Sequence, residues 1–176
     1  PLGVRLVSDD GKTFEDDTRV LYAANRSEVS VRGSASEELV LRGTLNSGAA
    51  IEKRLKFSGD SFPIDVEIKA SEIGPQLTRV GLGWRHQIVA PTPGDPESHY
   101  RGTLVLEDKK VVRDLATTIA SSPPKLFPAP VGWVGYGDHY FLAAMIPAEP
   151  ADSRATVSPE NGGVQMLVTS PRRSDD

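Results

Sequence analysis

The chain has no cysteine among its 176 residues. That excludes disulfides, thiolate metal sites and cysteine nucleophiles, and it fits an oxidising compartment as well as a reducing one. No run approaches the roughly 18–20 apolar residues that cross a bilayer as a helix. Positive charge is not in excess: 20 Lys and Arg stand against 24 Asp and Glu, a net charge of −4. Nucleic acid wants a basic face and anionic lipid wants a polybasic patch, so composition argues against both partners. Helical periodicity of any length is missing, with room for a turn or two only between Asp114 and Ala120. Aromatic residues are scarce, at 6%, so their clustering draws notice. No secretory leader is visible at Pro1-Leu2-Gly3, and the tail Arg172-Arg173-Ser174-Asp175-Asp176 ends abruptly. The chain is therefore expected to be a single soluble domain over 1–176, excised from a longer protein, with flexible ends.

What is present is strand after strand. Val29 to Arg32 alternates, and Leu39 to Leu45 follows Ser36-Glu37-Glu38. Asn46-Ser47-Gly48 is a hairpin signal, because Asn and Gly tolerate positive φ. Ile51, Lys53, Leu55 and Phe57 alternate with Glu52, Arg54 and Lys56. Lys53 interrupts the apolar face, so a bend or an edge position is expected there. After Ser58-Gly59-Asp60, Ile64, Val66 and Ile68 alternate with Asp65, Glu67 and Lys69, the pattern of a half-buried strand. Val80, Leu82 and Trp84 keep the period of two, with Gly81 and Gly83 opposite, which implies close approach of another group. A proline-rich loop at 90–96 precedes Thr103–Leu106 and Val111–Leu115, which flank a turn at Glu107-Asp108-Lys109-Lys110. A second loop lies at 121–130, and Val164–Thr169 is the last strand. The fold class is all-β, an antiparallel sandwich.

The richest stretch is Gly132 to Pro147, with Trp133, Tyr136, Tyr140 and Phe141. It is apolar on both faces from Tyr140 to Ile146, so a strand covered on both sides is expected. Trp133, Tyr140 and Phe141 are expected in the core, where Trp133→Ala costs about 3–5 kcal/mol. Trp84 and Tyr136 divide evenly between core and the wall of a carbohydrate or peptide groove. The three histidines, His86, His99 and His139, lack metal-ligand spacing. Asp138 after Gly137 is turn chemistry before it is half of an acid–base pair with His139. No nucleophile elbow occurs, and the glycines of 132–137 lack the lysine and helix of a phosphate loop. No catalytic set, metal or cofactor is expected.

Gly132-Trp133-Val134, then Tyr140-Phe141, then Ile146-Pro147 resembles the signature of the large first periplasmic domain of the YidC insertases, in the YidC/Oxa/Alb family. Leu55-Lys56-Phe57, Gly59-Asp60, the strand Ile64–Ile68 and Tyr100-Arg101-Gly102 are similar to the family in order and spacing, over residues 39–147. The resemblance makes Trp133, Tyr140, Phe141 and Pro147 structural signature positions. It implies a β-supersandwich related to galactose-mutarotase folds, trimmed here. It implies a periplasmic domain, held in an inner-membrane protein by helices absent from this chain, monomeric when isolated. It implies contact with the Sec translocon, SecDF in particular, and with nascent membrane proteins, and it leaves insertion itself to the membrane part. Two other readings stay open: a sugar-binding or mutarotase-like domain, and a chaperone-like binder of unfolded segments through a free strand edge or apolar groove.

Overall fold

The computed structural model describes residues 2–88, 101–138 and 140–173. His99, Tyr100, His139, the proline-rich segment 90–96 and the outermost residues at both ends lie outside the described residues. The strands are β1 (Gly3–Val7), β2 (Phe14–Asp16), β3 (Ala23–Ala24), β4 (Ser36–Thr44), β5 (Ala50–Ser58), β6 (Asp65–Ser71) and β7 (Arg79–Gln87). They continue with β8 (Gly102–Glu107), β9 (Lys110–Leu115), β10 (Lys125–Phe127), β11 (Val131–Gly137), β12 (Leu142–Met145), β13 (Arg154–Glu160) and β14 (Gly163–Pro171). A one-turn helix, α1 (Ala116–Ile119), follows β9, and a 3-10 turn spans Pro150–Asp152. The described chain is all-β and its ladders are antiparallel.

The residues form two compact units: one of Pro1–Val7 with Thr78–Asp176, the other of Ser8–Leu77. The first is a sandwich. One sheet runs β10-β13-β14-β7-β1 and the other β12-β11-β8-β9. Alternation sends one side of each strand inward. Phe127, Ala155, Val157, Val164, Met166 and Val168 from the first sheet meet Val105, Val131, Val134, Tyr136 and Met145 from the second. Ala116 and Ile119 of α1 close one end of this core. Each Val, Ile, Phe or Met side chain among them contributes about 1.5–3 kcal/mol when fully buried. Arg79 is buried here and donates to the carbonyls of Asp152 (2.7 Å) and Thr169 (2.9 Å), so its charge is well solvated by backbone. Gly81 is a true close approach: a Cβ there would lie 2.8 Å from Leu167 Cδ1, whereas at Gly83 the nearest contact is an ordinary 3.6 Å.

The second unit is built on the sheet β3-β4-β5-β6. The turns at Asn46–Gly48 and Gly59–Asp60 fall where composition placed them, with Gly48 at φ +98°. Two expectations fail. Val29 to Arg32 is irregular and runs into the turn at Gly33, φ +57°. Lys53 marks neither edge nor bend: β5 is paired on both sides, by β4 and β6. Its ammonium is buried and pairs with buried Asp17 at 2.6 Å. It also lies 4.2 Å from the centre of the Tyr22 ring, whose hydroxyl donates to Asp17 at 2.7 Å. Burial and the Asp17 carboxylate together push the Tyr22 hydroxyl well above its usual pKa. A charge on the apolar face is thus satisfied by a partner from a distant loop.

Candidate functional site

The expectation of a doubly covered strand through Tyr140–Ile146 is reversed. β12 is the end strand of its sheet, and Tyr140 and Phe141 are each 77% exposed. The cause lies in the turn. Asp138 Oδ1 accepts the backbone N–H of Tyr140 and of Phe141, both at 2.9 Å, and Asp138 N–H donates to Phe141 O at 2.9 Å. Its side chain thus does what a turn aspartate does. The two rings stand on a hairpin tip and have left the core.

Trp133 is also outside the core cluster, half-buried, because the β-bulge between Val131 and Trp133 resets the alternation. Val134 and Tyr136 then point inward, while Trp133, Gly135 and Gly137 face the other way. Trp84 takes the place expected of Trp133 and packs on the core. Tyr136 is buried and stacks on His86, ring centres 3.9 Å apart. Burial raises the Tyr136 pKa, with Arg101 opposing and Asp138 reinforcing. Tyr136 is thus a core residue, while Trp84, itself half-buried, packs against the core cluster. Pro147 is half-buried just past β12.

The outward side of β8, β9, β11 and β12 is where the unusual chemistry lies. Register and alternation place Leu104 and Leu106 of β8, Val111 and Leu115 of β9, Trp133 of β11 and Leu142 of β12 on one face, with Arg113 the charged residue among them. Leu142 is 56% exposed and Ile146, which follows β12, is 74% exposed. Val111 and Leu115 are exposed as well. The second unit shows what a solvated face looks like in this chain. There Arg42, Glu52 and Arg54 form a chain of ion pairs, both at 2.6 Å, and Arg54 beside Glu52 holds that carboxyl below the usual range. An apolar sheet face left open is the mark of an interaction surface. Composition could not find it, because Leu104, Leu106, Val111 and Leu115 read equally well as core.

Other places offer less. His86 is the one described histidine, and among the described residues no three His, Asp or Glu side chains gather as metal ligands. A cleft of about 300 Å³ lies between α1 and β10, lined by Asp114, Thr118, Ile119, Ser122, Lys125 and Val157. Its Lys125 ammonium is already held by Asp114 at 2.9 Å. Among the described residues no helix is long and apolar enough to cross a membrane.

Comparison with known proteins gives a family. The model of the YidC periplasmic domain matches residues 2–173. The match thus extends well beyond residues 39–147 on both sides, taking in β1, β13 and β14. A protein of Geotalea daltonii named membrane protein insertase YidC is 25% identical over 164 residues, covering 92% of this chain and 31% of the relative. Its namesake in Syntrophus aciditrophicus is 29% identical over 139 residues, covering 78% and 25%. That of Geobacter sulfurreducens is 23% identical over 185 residues, covering 97% and 34%. The chain therefore spans about a third or less of the length of these relatives.

Proposed function

The chain belongs to the family of YidC periplasmic domains, and from that premise we propose that it is the non-catalytic periplasmic domain of a membrane protein insertase, a single folded module of a longer inner-membrane protein. It supports insertion by holding other proteins near the membrane: components of the Sec translocon, SecDF among them, and emerging membrane proteins. Insertion itself is left to parts of the protein that this chain does not contain. The observation that carries the reading is the open apolar face of Leu104, Leu106, Val111, Leu115, Trp133 and Leu142, within a chain matched to the family over residues 2–173. Such a face favours protein partners, since a sugar site wants rings along a polar groove, and here Tyr136 is buried and Trp84 packs against the core.

The test is site-specific photocrosslinking in the full-length protein, in native membranes. A photoreactive residue at Val111, Leu115 or Leu142 is expected to capture translocon components. The same probe at Glu67 or Lys69, on the charged edge strand of the second unit, serves as the control. Equal capture from both sets, or none from the apolar face, refutes the proposal.

A further inference from the structure

We infer that the β12 edge is a docking site for an extended, uncharged segment of another polypeptide, which adds to the sheet as a strand beside Leu142, Ala144 and Ile146.

The hydrogen-bond pattern carries this. Asp138 and Phe141 are joined by the Asp138 N–H bond to Phe141 O, and the register then pairs Tyr136 with Ala143 and Val134 with Met145. Bonded pairs alternate along an antiparallel ladder. Ala143 and Met145 therefore spend their backbone groups on β11, while Leu142 and Ala144 turn theirs away from it, and Ile146 follows the strand. Among the described residues no strand takes them, since β12 ends its sheet. A Cβ at Gly135 would lie 2.4 Å from the Ala143 carbonyl oxygen, so this close fit seats β12 firmly against β11.

Charge selects the occupant. The other edges are guarded: β6 by Asp65, Glu67 and Lys69, β9 by Lys110, Arg113 and Asp114, β10 by Lys125, β2 by Glu15 and Asp16, and β3 by its two-residue length. Charges and short strands keep edges from recruiting foreign chains. From Tyr140 to Ala148 there is no charged residue at all, and the first is Glu149. A charged segment gains no partner there and loses hydration, whereas an uncharged one matches. Its main chain bonds the edge, and every second side chain lies beside Leu142 and Ile146. A second copy of this chain is a poorer occupant. Four residues of strand run roughly 14 Å, and pairing two such edges falls short of the ~1,000 Å² that a stable interface needs. Short contact with a passing segment has no such requirement.

The inference rests on the proposed function only for where such segments come from. The test uses a purified probe and no translocon, so each can fail separately. A fluorescent nine-residue peptide of alternating valine with serine or threonine, capped at both ends, is titrated with the protein and followed by anisotropy. Binding is expected to saturate and to fall at least tenfold for Ala144→Pro, which deletes an outward N–H and spares the β11 bonds. Ile146→Lys is expected to weaken binding as well, and Lys69→Ala to leave it unchanged. Peptides N-methylated on one alternating set of residues test the same bonds should Ala144→Pro disturb the fold: one set is expected to lose binding and the other to keep it. Equal binding by both methylated sets, unaltered binding by a folded Ala144→Pro, or a signal that tracks self-association overturns the inference.

Discussion

Removing the Lys53 ammonium should be among the most damaging single changes in the second unit. Lys53 and Asp17 are 7% and 6% exposed at their side chains and 2.6 Å apart. Lys53→Ala leaves the Asp17 carboxylate in a dry site with the Tyr22 hydroxyl still donating to it. Breaking a buried pair from one side costs about 3–5 kcal/mol, because one charge stays behind unpaired. Replacing both partners by apolar groups of similar size costs far less, since the desolvation penalty disappears with the charges. Lys53→Met with Asp17→Leu and Tyr22→Phe, which also removes the hydroxyl that donates to Asp17, is therefore expected to lie within about 1–2 kcal/mol of the parent. The assay is urea unfolding with native-state hydrogen exchange on the β4, β5 and β6 amides. Tryptophan fluorescence does not serve, since Trp84 and Trp133 both belong to the other unit. A Lys53→Ala loss below about 1 kcal/mol, the range of an exposed pair, refutes the reasoning. So does a triple variant as unstable as the single one.

Two further predictions concern the aromatic residues. Trp84→Ala should cost about 3 kcal/mol, because its half-buried ring packs against the core cluster. Trp133→Ala should cost roughly half of that or less, because its half-buried ring lies on the outer face, away from the core cluster. Chemical denaturation of both variants checks the ranking, and equal losses contradict the outward placement of Trp133. Stability should also fall at alkaline pH. Tyr22 and Tyr136 have raised pKa values in the fold, so the unfolded chain loses those protons first, near pH 10. Their contribution is complete below about pH 10 and declines as pH rises above it. Tyr22→Phe is expected to flatten that decline, as read from thermal midpoints between pH 8 and 11; an unchanged slope contradicts it.

Much of this was legible in the sequence. Alternation at Ile51–Phe57, Ile64–Lys69 and Val80–Trp84 marked β5, β6 and β7, although Ile64 falls just before β6 and is exposed, and glycine, asparagine and charged pairs marked the turns between strands. The strand of Arg154–Glu160 was missed, since Pro159 speaks against a ladder. It is tolerated where it stands, paired with Val164 near the hairpin end. Aromatic content misled in one respect. Tyr140 and Phe141 looked like core because they are large and apolar, yet the Asp138 turn holds them outward.

The division follows from the range of the forces. By itself the chain determines its strands, its hairpin turns and the spacing that marks its family, because these depend on neighbours one to four residues apart. The tertiary structure alone decided which side of each strand is covered and which strands end a sheet. A period of two separates two faces and cannot say which of them meets another sheet. Only folding brings Asp17 and Tyr22 to Lys53 and turns an apparent flaw in β5 into a buried pair. Only the sheet order leaves one side of β12 without a neighbouring strand among the described residues.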